Sequence, residues 1–125
     1  MDHQIYESIV RDAIDALPEQ INTQLNDVLI VIDDVPPPHG KGILLGLYEG
    51  VPLTAWGRGE MNGKPPDKIS IFTSSIERIA KTPEEIPHLV RETLWHEIAH
   101  YFGFDHDRIG DMEKRWREKR DVKNP

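Results

Sequence analysis

The sequence predicts an α+β fold, on three observations. Apolar residues recur at helical spacing near the start of the chain and again over residues 87–102. Three short strand-like segments lie between those two helices. No repeat or low-complexity tract divides the chain, so residues 1–125 are read as a single domain.

In the first helix, Ile5, Ile9, Val10, Ala13, Ile14 and Leu17 recur at helical spacing, which predicts an amphipathic helix over 3–17 ended by Pro18. Val28 to Ile32 is short, β-branched and bounded by Asp33-Asp34 and three prolines, so a buried strand is expected there. Ile43 to Tyr48 and Lys68 to Thr73 read as two further strands, the second with Ile69 and Ile71 alternating with polar neighbours. A Gly/Pro loop joins them. Thr82-Pro83-Glu84-Glu85 carries helix-start chemistry: Thr as cap, Pro in the first turn and Glu three residues after the Thr. Pro87 has no amide hydrogen to give inside a helix, so the regular part is expected from Pro87 to Phe102, with Gly103 as its stop. Its apolar residues cover much of the circumference at about 100° per residue, which marks a largely buried helix.

Composition narrows the function classes. With 125 residues the chain can bury more than about 60% of the surface it would expose unfolded. Apolar residues make up 38% and charged residues 30%, the balance of a chain that folds in water. The longest aliphatic run is Val28 to Ile32, far short of the roughly 20 residues a membrane-spanning helix needs. Met1-Asp2-His3-Gln4 lacks the basic start and apolar stretch of a secretory signal, which predicts a cytoplasmic protein. The absence of cysteine excludes a disulfide scaffold and a thiolate metal site, so any metal must sit on nitrogen and oxygen. The net charge of −7 is uneven. Residues 1–112 hold 19 acids against 9 bases, while residues 113–125 hold 6 bases against 3 acids. An acidic body disfavours binding to nucleic-acid backbones, and the basic tail reads as a solvated helix end.

The six histidines then carry the argument. His96-Glu97-Ile98-Ala99-His100 is followed by Gly103 and His106, giving H-E-x-x-H-x-x-G-x-x-H. Residues four apart stand one above the other on a helix, so His96 and His100 can offer their imidazoles to one ion. Glu97 lies about 100° around, beside the metal but off its axis. Gly103 lets the chain reverse so that His106 can reach back as third ligand, although the flanking carboxylates of Asp105 and Asp107 are alternatives at that position. Three neutral imidazoles would leave the ion's double charge intact and a fourth position open to water, the catalytic arrangement rather than the structural one. His3, His39 and His88 have no partner at ligand spacing and read as surface histidines.

This motif resembles that of the zincin metallopeptidases, and its long form is that of the metzincins. Met112 stands only six residues past His106, too near for a methionine turn under the metal, so the closer match is the minimal zincin family of small bacterial metallopeptidases. The likeness runs through Leu44-Gly46-Tyr48-Gly50-Pro52-Leu53-Thr54, Pro66-Asp67-Lys68-Ile69 and His96 to Ile109. It implies the minimal zincin fold, a small mixed sheet packed against an N-terminal helix, a buried active-site helix and a C-terminal helix. It implies Zn2+ on His96, His100 and His106, with Glu97 as the general base of peptide hydrolysis on a peptide or protein substrate. Tyr48, Tyr101 and Arg108 are candidates for a second oxyanion donor, and residues 43–56 for the wall that binds an extended peptide. Two alternatives stand beside it. One is a metal-dependent endoribonuclease of RNA maturation, whose enzymes share the histidine spacing but place Gly where Glu97 stands. The other is a zinc-binding module without turnover.

Overall fold

The computed structural model describes residues 3–50 and 67–103, together with Asp107, Asp111 and Lys114. The order of elements is α1 (His3–Asp15), α2 (Glu19–Gln24), β1 (Val28–Asp33), β2 (Gly46–Glu49), β3 (Asp67–Phe72), α3 (Thr73–Ile79) and α4 (Ile86–Tyr101). The three strands form one mixed sheet in the order β1-β3-β2, with β3 parallel to β1 and antiparallel to β2. Asp107, Asp111 and Lys114 are helical and exposed, in keeping with the C-terminal helix expected there. No described helix is long and apolar enough to cross a membrane.

Helix α1 buries Tyr6, Val10 and Ala13, spaced one and two turns apart, and leaves Ile5 47% exposed. The buried stripe is therefore centred one residue further round than the aliphatic pattern suggests, because the Tyr6 ring supplies its largest apolar surface. The Tyr6 hydroxyl donates to Glu77 Oε2 at 3.0 Å and so ties α1 to α3. Burial, then this bond and the charge of Glu77, push the Tyr6 hydroxyl's pKa well above its ordinary value. Helix α1 ends at Asp15, two residues before the expected stop. Pro18 caps α2, and the Asn22 side-chain amide donates to Ile14 O at 3.2 Å across the corner.

Strand β1 is a sheet edge, not the buried strand its composition suggests, and Leu29 is 52% exposed. The middle strand is β3. Paired on both sides and packed on α4, it buries Asp67, Ile69, Ser70, Ile71 and Phe72, so the expected alternation of buried and polar positions does not hold at Ser70. The strand stops one residue before the expected end. There the Thr73 hydroxyl donates to Asp34 Oδ1 and the Ser74 amide to Asp34 O, each at 3.0 Å, and the chain turns into α3.

Helix α4 is entered through a single 3-10 turn, Pro83–Glu85. Thr82 makes no side-chain cap bond, and the Glu85 carboxylate accepts from the Lys81 amide at 2.6 Å rather than closing the expected capping box on Thr82. The helix buries Ile86, Val90, Leu94, Ile98, Ala99 and Tyr101, and packs on α1, β2 and β3. Each such large side chain removed from water stabilises the fold by roughly 1.5–3 kcal/mol before conformational entropy is counted. The core therefore holds α4 as its central element, and whatever α4 carries is held with it.

Candidate functional site

His96 and His100 lie in the last two turns of α4 and are both partly buried. Their Nε2 atoms stand 3.0 Å apart, with ring centroids 4.7 Å apart and planes inclined at 66°. Two imidazole nitrogens bound at about 2.0–2.1 Å to a tetrahedral ion stand about 3.3 Å apart, so the pair fits a shared ion with an adjustment of a few tenths of an ångström. Without an ion the same contact is an N–H···N hydrogen bond, one ring donating and the other accepting. Either way the two side chains converge on one point. Glu97, next along the helix, is only 8% exposed and packs towards β2.

The helix ends as the sequence predicts. The Phe102 amide donates to Ile98 O and the Gly103 amide to His100 O, and Gly103 has φ +85°, a left-handed conformation that a side chain would strain. His106 and Asp105, which follow that reversal, lie outside the described residues, as do Arg108 and residues 51–56 of the expected peptide-binding wall. Among the described residues no group of three His, Asp or Glu side chains gathers to hold a metal. Asp107, one of the alternatives to His106, is exposed.

The candidates for an oxyanion donor separate. Tyr101 is fully buried and its hydroxyl donates to Gln24 O at 3.1 Å, across to the end of α2, which makes it an anchor of the helix end. Tyr48, on β2, sets its ring edge-on to Tyr101 at 6.0 Å. Of the histidines read as surface residues, His3 and His39 are exposed and His88 is half-buried. The His39 ring bridges its own loop, with Nδ1 2.9 Å from Pro37 O and Nε2 3.1 Å from Gly42 O.

Two glycines matter here that spacing arguments passed over. A Cβ at Gly46 would strike Thr93 on α4, and a Cβ at Gly50, where φ is +153°, would run into the Asp67 carboxylate at the start of β3. A glycine inside a strand signals close approach by another segment, and that signal was present in Gly46.

The sequence profile of the zincin-like metallopeptidases matches residues 25–116, which takes in α4 and both strands that pack on it. Among solved structures, a conserved hypothetical protein from Thermus thermophilus is similar in fold, with a TM-score of 0.56 and 22% sequence identity over 80% of this chain and 92% of that one. No curated protein sequence matches the chain significantly.

Proposed function

Because the chain belongs to the zincin-like metallopeptidase family, we propose that it is a zinc-dependent peptidase in which His96, His100 and His106 hold the ion and Glu97 is the general base. The observation that carries this reading is the convergence of the His96 and His100 Nε2 atoms, 3.0 Å apart, beside a buried Glu97. When bound, zinc supplies a Lewis acid that polarises the scissile carbonyl and lowers the pKa of a water towards about 7.

The chain's own groups do the rest. His96 and His100 bind through Nε2, and the rigid, buried helix beneath them holds their separation. Glu97 is one residue from His96 and so points beside the coordination site rather than into it. There its carboxylate takes a proton from the attacking water and passes it to the departing amine nitrogen. Burial against β2 limits the conformations open to that carboxylate and the water competing for it. Among the described strands, β2 is the edge that packs on α4, so an extended peptide added along Gly46–Glu49 would lie on the strand against which the Glu97 turn packs.

Glu97 also favours a peptidase over RNA processing, since it stands where the RNA-maturation enzymes carry Gly. The net charge of −7 works in the same direction. The reading takes residues 1–125 as one cytoplasmic domain acting on peptides or proteins. Elemental analysis of the purified protein tests the site: one zinc per chain is expected. Free zinc at a hundredfold excess over its dissociation constant should add about 2.7 kcal/mol of stability that a chelator removes. No bound metal and no chelator effect would contradict the reading.

A further inference from the structure

Gly46 opens β2 and is buried against α4. A Cβ built there would stand 2.6 Å from Thr93 Cγ2, 2.9 Å from the Ser70 carbonyl oxygen and 3.6 Å from Glu97 Cγ. The two shorter distances are ones that real Cβ atoms essentially never show. Gly46 is not among the glycines of positive φ, so its backbone conformation would accept any residue. What excludes a side chain is space alone. The neighbour it would strike first, Thr93, lies one helical turn before Glu97 and three residues before His96, on the face of α4 that meets the sheet.

We infer that Gly46 is a positioning residue for Glu97: a side-chain-free site on β2 that receives the Thr93 methyl group and thereby sets how closely the Glu97 turn of α4 lies against the strand. The inference rests on the reading of Glu97 as general base. An added methyl at Gly46 must open its contact with Thr93 from 2.6 Å towards the 3.4 Å at which ordinary van der Waals contact begins. A displacement of that order between a catalytic group and its substrate can cost about a hundredfold in rate. His96 and His100 ride on the same helix and move with Glu97, so the metal site travels as a unit. The quantity that changes is the separation of Glu97 from β2, along which the peptide would lie.

The test compares wild type, Gly46→Ala and the double variant Gly46→Ala/Thr93→Ser, in which the striking Cγ2 is removed. Zinc content, kcat and KM are read together with the nuclear Overhauser contacts from Gly46 to Thr93 and Glu97. Gly46→Ala should keep one zinc per chain and its KM while kcat falls about ten- to a hundredfold. The double variant should regain part of that loss, the Ser70 oxygen remaining in the way. Wild-type kcat in Gly46→Ala, no recovery in the double variant, or loss of zinc in step with activity would overturn the inference. Should Gly46→Ala fail to fold, Thr93→Ile presses the same contact from the helix side, with the same fall in kcat expected and an unchanged kcat overturning it. If wild type cleaves no peptide, the peptidase reading fails by itself. The positioning is then judged on the Glu97 side-chain resonances: displaced in Gly46→Ala and returning in the double variant supports it, unmoved in Gly46→Ala overturns it.

Discussion

Replacing Tyr101 by Phe removes a single oxygen from the end of the helix that carries the histidine pair, and its cost follows from where that oxygen points. The ring is fully buried and stays in place, so no cavity opens, and its edge-on contacts with Tyr48 and Phe102 survive. Among the described residues, the bond lost is the 3.1 Å one to Gln24 O. A net hydrogen bond is worth about 0.5–1.5 kcal/mol, and a carbonyl left dry costs about 1–3 kcal/mol. Gln24 is an exposed residue, so water can take over its carbonyl and the lower range applies. The expected loss is about 1 kcal/mol, or a fall in melting temperature of about 3–5 °C for a chain of this size. Leu94→Ala, which empties part of the same core, should cost about 2–5 kcal/mol. Urea unfolding of both variants measures this, provided the slope against denaturant is unchanged. A Tyr101→Phe protein as stable as wild type, or as unstable as Leu94→Ala, would refute the assignment of Tyr101 as an anchor through its hydroxyl's bond to Gln24 O.

Two further outcomes are expected. Because the Tyr6 hydroxyl's pKa is raised in the folded chain above the ordinary 10.0, the stability it contributes is fully present below that pH and is lost as pH rises beyond it. The stability advantage of wild type over Tyr6→Phe should therefore shrink in unfolding experiments above pH 10. At the proposed third ligand position, His106→Ala should weaken zinc binding strongly in chelator competition, while Asp105→Ala and Asp107→Ala change it little; His106→Asp should keep part of the affinity, since a carboxylate oxygen binds zinc at a similar distance.

The elements legible in the sequence were those whose own residues determine them. The stretch from Leu89 to Phe102 is apolar around most of its circumference because it is packed on several sides, and Gly103 marks its end by a conformation few other residues take. The His96–His100 pair is legible for the same reason: a spacing of four residues on a helix is a geometric statement. What escaped depends on distant partners. Helix α3 begins Thr73-Ser74-Ser75, residues that compete with helix formation, and it starts where it does because Asp34, from the far end of β1, receives its first turn. The edge position of β1 and the central one of β3 follow from strand order, which no local pattern encodes. Helix α2, at six residues, is too short to show a period. Gly46 was visible as a glycine in a strand, but its neighbour Thr93 lies 47 positions away in sequence, and only the fold brings the two together.

The proposed mechanism requires Glu97 to move a proton without holding the metal. Glu97→Gln isolates that role, since the amide keeps the shape of the side chain and loses the basic oxygen. Wild type and variant are to be compared on a pooled peptide library and on single-stranded RNA, with zinc and melting temperature measured in both. Equal zinc content, nearly equal melting temperature and a fall in peptide hydrolysis of at least about a hundredfold are expected. Peptide cleavage by the Gln variant at the wild-type rate would contradict the mechanism, and so would a wild type that cleaves RNA instead of peptides.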